Sequence, residues 1–372
     1  MIASVYFFCC PPGPPERSPY HHSLVAIAEG LRELGVPLFA NRDYWPVAGG
    51  FLLRESDVDF RDCDVVVFDS DFYLLSLEHL LPPDLFDPGA RYTLVFVDHG
   101  DGQYTDGMRP ELRQAQVVLK SHYNRKFRNP SNYVPWQFGL TRRIMDAVAP
   151  RAAADRRPAF LHSARVSHSL RHLAAQRIAP IFRALLEEDA TVDDFADVSA
   201  MSPADRELWA QTGRRHYPAF YRRLSEVVAC FAFGGHLLKF FSDRDSVLED
   251  VLYRINWRVP IFAHDRIFQF DSWRFWESMA AGCATVHVDL SHYGAVLPVM
   301  PTNGLHYVGV DFNDLDGLQR TLRSQGRRWL DDTGAAGREW VLANYAPSSV
   351  AERFLDVVTA RQRAPRKFSA AP

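Results

Sequence analysis

The sequence predicts an α/β chain made of two doubly wound, Rossmann-like halves. Three observations lead there. The chain has 372 residues, beyond the size at which a single hydrophobic core keeps growing, so two domains are the natural division. Apolar runs at 2–10, 62–71, 91–97 and 116–120 read as strands buried on both faces, which is how parallel sheets are written. Stretches with apolar residues at helical spacing alternate with these runs, and the alternation restarts at 159 after an Ala/Arg/Pro-rich segment, 147–158, that lacks apolar period.

Bulk composition narrows the function classes. With 47% hydrophobic and 23% charged residues, the balance is that of an ordinary globular protein. A formal charge of −3 and a pI near 6.5 contain no basic stripe for nucleic acid and no polybasic membrane patch, so neither partner is expected. Five Cys, at 9, 10, 63, 230 and 283, follow no metal-ligand spacing, and an odd number of scattered thiols in apolar runs fits a reducing compartment. The first apolar run has no basic flank and leads into Pro-rich sequence, unlike a signal peptide, and no stretch approaches a membrane span; the expected location is cytoplasmic.

In the first half, Ile2–Cys10 is a strand, and the rigid Pro11–Pro15 loop leaves it. Leu24, Ile27, Ala28 and Leu31 keep helical spacing within 18–35, Gly35 closes the helix, and 36–40 is the second strand. His21 and His22 stand beyond a strand end, where open α/β sheets place ligands; the other reading is surface decoration. Asp62–Asp71 is a strand centred on Val65–Phe68, with carboxylates at its exit. Arg91–Val97 is another, and it empties into the loop Asp98–Asp106. Asp98, His99, Asp101 and Asp106 sit there, and Gly100 and Gly102 permit a tight turn. Three readings of that loop stay open. Asp98 or Asp101, with His99, would take a proton from an attacking hydroxyl; closely spaced Asp oxygens would hold a divalent cation; or these are turn residues and nothing more. Gln116–Lys120 is the next strand.

In the second half, 159–162 is a strand, followed by a basic loop with Arg165, Ser167, His168 and Arg171 and a helix over 170–187. His216–Glu226 is an amphipathic helix and Val227–Phe233 the strand after it, ending at Gly234 and Gly235. Arg254–Ile261 reads as a short strand. Phe270–Ser272 is a loop with Ser272 as N-cap, its hydroxyl accepting from a first-turn N–H. A helix follows over 273–281, Gly282 stops it, and 284–288 is a strand. Arg274 and Glu277, three apart, share a helical face, so a cation and a carboxylate look into one crevice at a helix start suited to anions. Gly304–Val310 contains a late strand, 315–325 and 331–344 are helices, and a closing helix begins near Tyr345.

The run Glu277-Ser-Met-Ala-Ala-Gly-Cys-Ala-Thr-Val resembles the E-x-(L/M)-A-x-G-x-x-x-V segment of GT-B glycosyltransferases. Asn132–Leu140 is similar to the exit of that family's N-terminal domain, and Asn303–Asp311 to a late strand of its C-terminal domain. The resemblance implies two Rossmann-like domains facing across a cleft, with an acceptor-binding domain at 1–150, a nucleotide-sugar domain at 151–345, a closing helix at 346–360 and a tail at 361–372. It also implies that Glu277 bonds the donor ribose and that Ser272, Arg274 and Arg165, with Gly282 and Cys283, belong to the donor site. Asp98, His99 and Asp101 become the catalytic candidates, and His21, His22 and Tyr104 the acceptor-side ones. Retaining members with paired glutamates carry an acidic residue eight positions before the Glu. Here that position is Gln269, with Asp265 or Asp271 as the substitutes.

The expected activity is transfer of a sugar from a nucleotide-sugar to a hydroxyl-bearing small molecule, natural product or glycan, without a metal or other cofactor. The alternatives are a nucleotide-sugar epimerase or phosphorylase on the same architecture, or a non-catalytic nucleotide-sugar-binding protein. A Rossmann dehydrogenase fits poorly, because no G-x-G-x-x-G follows the first strand.

Overall fold

The computed structural model describes residues 2–11, 19–75, 82, 84–100, 112, 114–163, 169–192, 198–235, 237–238, 266–267 and 269–363. The first half runs β1 (Val5–Phe7), α1 (His22–Glu33), β2 (Leu38–Ala40), β3 (Tyr44–Val47), β4 (Gly50–Leu53), β5 (Val65–Asp69), α2 (Ser70–Leu75), β6 (Thr93–Asp98), β7 (Val117–Lys120) and β8 (Tyr133–Pro135). Six of these strands form one parallel sheet in the order β2-β1-β5-β6-β7-β8, while β3 and β4 pair as a separate antiparallel hairpin. Every residue of β5 and β6 is buried, which is why their sequences are continuous apolar runs and do not alternate.

A short helix, α3 (Arg142–Ala147), leads to the second half. There β9 (Arg157–Leu161), α4 (Ser169–Leu173), α5 (Ala179–Arg183), β10 (Glu187–Asp189), α6 (Pro203–Gln211), α7 (Pro218–Glu226), β11 (Val227–Phe231), β12 (Leu237–Leu238) and β13 (Arg266–Ile267) precede α8 (Trp273–Ala280), β14 (Ala284–Val288), β15 (Val308–Val310), α9 (Leu315–Tyr345) and α10 (Pro347–Arg363). The second parallel sheet has the order β10-β9-β11-β14-β15. Strand order therefore reverses between β1 and β5 in one sheet and between β9 and β11 in the other, and such switch points are where open α/β sheets bind ligands.

Among the contacts that tie the halves together, two regions stand out. The loop after β7 bonds to the second half: Asn124 Nδ2 donates to the carbonyls of Ile267 (2.8 Å) and Tyr293 (2.9 Å), and His122 Nδ1 accepts from the N–H groups of Phe270 (3.1 Å) and Asp271 (3.0 Å). At the chain's end, α10 returns to α1, and Val350, Ala351, Phe354 and Val358 join the core of the first sheet. Gly30 permits this, since a Cβ there would sit 1.9 Å from the Pro347 carbonyl oxygen.

Several expectations change. The first helix starts at His22, later than the periodicity predicts. The helix expected over 170–187 ends at Arg183, and Glu187–Asp189 is an edge strand whose carboxylates are held by His162, Arg183, Arg157 and Arg223. Charged residues on an edge carry no hydrophobic period, so nothing in the pattern announces it. The two late helices are present within α9 and meet at Gly326, where φ is +63°, so the second begins earlier than the expected 331. The strand expected at 254–261 lies outside the described residues. All five cysteines are free and buried, and no described helix is long and apolar enough to cross a membrane.

Candidate functional site

A cavity of about 670 Å³ lies where the two switch points face each other. The first sheet contributes Ser70 and Asp71 after β5 and His99 and Gly100 after β6; the second contributes Ser163 after β9 and Gly234 and Gly235 after β11. The start of α8 adds Ser272, Trp273, Arg274 and Glu277. Gly235 has φ +77°, and a Cβ there would lie 1.6 Å from the Gln269 carbonyl oxygen. Only glycine lets the β11 exit turn this close to the strand of backbone that feeds α8.

The wall from the first sheet is built on Asp69. This buried carboxylate accepts from His21 Nδ1 (2.8 Å), His99 Nε2 (3.2 Å) and the Phe72 N–H (2.9 Å). Burial works against its charge, but His21 and His99 hold it well below the usual carboxylate range. Both nitrogens of His21 are used, because Nε2 accepts from the Cys10 N–H at 2.9 Å. His22 is engaged likewise, to the Tyr20 hydroxyl at 2.8 Å and the Gly139 carbonyl at 3.2 Å, and burial lowers its pKa to about 3. Neither histidine lines the cavity; their neighbour Tyr20 does.

His99 does line it. Burial opposes its charge, but Asp71, Asp69 and Asp98 raise its pKa to about 9. At neutral pH it is therefore an imidazolium, a donor and not a base. Asp98 accepts from Lys120 Nζ at 2.9 Å within a fully buried ion pair and from the Gly100 N–H at 3.2 Å. The carboxylate of this wall that reaches the cavity is Asp71, which also accepts from the Tyr20 N–H at 3.2 Å. Asp101, Tyr104 and Arg165 lie outside the described residues. Among the described residues no group of three or more His, Cys, Asp or Glu is arranged to hold a metal ion.

The opposite wall is cationic. Arg143, Arg171, Arg214, Arg215 and Arg274 all line the cavity, and among the described residues the carboxylates that line it with them are Asp71, Asp271 and Glu277. Glu277 is buried, accepts from the Tyr221 hydroxyl at 2.8 Å, and has its pKa raised by burial, with Arg143 pulling it back. Ser272 stands at the N-cap of α8, but its hydroxyl donates to the Ala232 carbonyl at 3.4 Å and caps nothing. The capping expectation fails because the β11 exit passes close enough to compete for the hydroxyl. Gly282 and Cys283 lie at the far end of α8, away from the cavity: Gly282 has φ +73°, and Cys283 Sγ contacts the Leu224 carbonyl at 2.8 Å. Asp271 is occupied as a staple, accepting from the Phe138 N–H (2.7 Å) and Trp276 Nε1 (2.6 Å), and its burial raises the pKa to about 7. Gln269 lines the cavity.

Sequence reasoning singled out Glu277, Arg274, Ser272 and His99, which the fold brings together, but it missed Arg143, Tyr221, Arg214, Arg215 and Trp273. The indole of Trp273 stacks on Phe138 (5.0 Å, 12°), and Arg215 packs over its ring at 4.8 Å. Arg143 sits in a short helix where cations ordinarily face solvent. The one sequence sign was the Arg214-Arg215 pair directly before a helix start.

No protein-family model matches the chain, and no curated protein matches it in sequence. Solved structures do match. An alpha-glucosyltransferase in complex with UDP-glucose and DNA containing an abasic site is 10% identical over 96% of this chain and 98% of that one, with a TM-score of 0.54. The same enzyme type, in complex with UDP and a 13-mer DNA containing a central A:G mismatch, is 12% identical over 96% and 99%, with a TM-score of 0.51. A glycosyltransferase from Rickettsia africae ESF-5 is 10% identical over 98% and 100%, also at 0.51. At these identities the likeness is one of architecture: the chain has the GT-B glycosyltransferase fold, with two Rossmann-like domains. The expectation of no nucleic-acid partner is overturned, since two of these GT-B structures hold DNA. Net charge was no ground for that exclusion, since a sum of −3 over the whole chain says nothing about how the charges are distributed.

Proposed function

We propose that this GT-B protein is a glycosyltransferase that moves a sugar from a nucleoside-diphosphate sugar to an acceptor hydroxyl. The observation that carries the reading is a cavity at two facing switch points that is lined by five arginines and, at the exits of the first sheet, by a carboxylate beside an imidazolium. In this reading the diphosphate sits against Arg171, Arg274 and the start of α8, and Glu277 receives ribose hydroxyls. The acceptor approaches from the first sheet. Its hydroxyl proton passes to Asp71, its oxygen bonds the anomeric carbon, and the bond from that carbon to the diphosphate breaks. Negative charge then grows on the leaving diphosphate, where fixed guanidinium groups stabilise it most in the transition state.

UDP is the first nucleotide to test, because structures of the same fold are complexes with UDP or UDP-glucose. Acceptors to test against UDP-glucose are small hydroxylated molecules, glycans and DNA oligonucleotides, with nucleotide release as the readout. Release that depends on an acceptor supports transfer. Interconversion of the donor with no acceptor supports an epimerase, release that needs only inorganic phosphate supports a phosphorylase, and binding without turnover supports a binding protein.

A further inference from the structure

Arg143 is buried, 7% exposed, at the second position of α3, the helix between the two sheets. Its Nη1 donates to the Tyr221 hydroxyl at 2.5 Å and faces His216 Nδ1 at 3.3 Å; its Nη2 donates to the Tyr20 hydroxyl at 3.3 Å. None of these partners is a carboxylate. A buried guanidinium surrounded by neutral groups is costly unless its charge is answered close by. Glu277, one hydroxyl further on, answers it.

Donor directions in this network follow from the cation. A guanidinium can only donate, so the Tyr221 oxygen accepts from Arg143 and its own proton points to Glu277 Oε1 at 2.8 Å. By the same logic the Tyr20 proton points to His22 Nδ1 at 2.8 Å, which leaves His22 Nε2–H to donate to the Gly139 carbonyl at 3.2 Å. On its third side, His216 accepts from Arg143 through Nδ1 and donates through Nε2 to Asp205 Oδ1 at 3.0 Å. One cation thus sets every proton from Asp205 to Glu277 and from Tyr20 to Gly139. Each bond in such a chain polarises the next.

We propose that Arg143 is a positioning residue for the donor site: through Tyr221 it orients the Glu277 carboxylate, and through Tyr20 it keys that carboxylate to the wall contributed by the first sheet. The donor role of Glu277 rests on the glycosyltransferase reading; the coupling of Arg143 to Glu277 does not. The charged and titratable groups facing Glu277 are Arg143 from α3, Tyr221 from α7, Arg274 from its own helix and Cys230 from β11. Burial raises the Glu277 pKa and Arg143 is the largest opposing influence, so loss of the cation moves the carboxylate's titration to higher pH.

The test uses the full chain and the variants Arg143→Met, Arg143→Lys, Tyr221→Phe and Glu277→Gln, each checked for cooperative unfolding. Carboxyl-labelled glutamate is followed by NMR from pH 4 to 9, with Glu277→Gln identifying the Glu277 resonance. Arg143→Met is expected to raise the Glu277 titration by about one pH unit or more, and Arg143→Lys to hold it near the wild-type position. Tyr221→Phe, which leaves the cation in place, is the second probe if Arg143→Met does not fold; it is expected to raise the titration too. UDP affinity is measured over the same range. Arg143→Met and Tyr221→Phe are expected to bind about tenfold more weakly near pH 7 and to lose affinity as pH falls, at higher pH than wild type does. Arg143→Lys restores most of the affinity, and Glu277→Gln is weak throughout. A Glu277 titration unmoved in both Arg143→Met and Tyr221→Phe overturns the coupling. Wild-type protein that binds no nucleoside diphosphate, or binds it as well with Glu277→Gln, overturns the donor role instead, and the NMR result still decides the coupling.

Discussion

His99 Nε2 lies 3.2 Å from Asp69 Oδ2, so a buried carboxylate at the end of one strand keeps charged an imidazole just past the end of the next. His99 has a pKa of about 9 against an ordinary 6.5, raised in the face of burial by Asp71, Asp69 and Asp98. A group whose folded pKa is raised contributes stability that is complete below its unfolded pKa and is lost as pH rises through the folded one. Stability is therefore expected to fall between about pH 6.5 and 9, by on the order of 3 kcal/mol from this group. Denaturant melts of wild type and His99→Gln across that window check it; the variant's profile should be flatter, and equal slopes would refute the assignment.

Asp71→Asn is expected to lower the rate of sugar transfer about 10²-fold or more while leaving UDP affinity within about twofold. Its side chain faces the cavity from the first sheet and takes no part in the arginine wall. Steady-state kinetics with UDP titrated separately makes the distinction. A variant that keeps its kcat would remove Asp71 as the proton acceptor.

For Asp98 the prediction is of the opposite kind. Its partner Lys120 is 1% exposed, and removing one member of a buried ion pair is costly. Asp98→Asn should cost about 3–5 kcal/mol of stability, with Lys120→Met in the same background recovering part of it. If Asp98→Asn instead leaves stability intact and abolishes turnover, Asp98 is the base after all.

Gly30→Ala would put a Cβ 1.9 Å from the Pro347 carbonyl oxygen and 2.7 Å from Ala351 Cβ. Backbone cannot yield cheaply there, so α10 should lift from α1, at a cost of about 3 kcal/mol or more. Hydrogen exchange over residues 347–363 is the direct measurement; unchanged protection would show that the two helices can separate without loss.

How much of this was legible depended on whether a residue's role is local. β5, β6, β7 and β14 were readable because a strand buried on both faces must be apolar throughout. The α8 unit was readable because glycine with positive φ ends a helix whatever surrounds it. β10 was not, since its residues are charged and its pairing is with a strand some 28 positions earlier in register. At the site, Glu277, Arg274 and His99 announced themselves by standing at helix starts and strand exits, positions defined by local order.

The sequence by itself determined the two-domain α/β architecture, the succession of strands and the loops from which a ligand site would be built, because periodicity and turn chemistry act over a few residues. Only the tertiary structure decided what each polar side chain does. It turned Asp98 toward Lys120, both nitrogens of His21 toward Asp69 and Cys10, and the Ser272 hydroxyl toward Ala232, and it brought Arg143, Tyr221 and Glu277 into one network. Charge and hydrogen bonding depend on distances of a few ångströms between residues far apart in the chain, and those distances exist only once both sheets have formed and met.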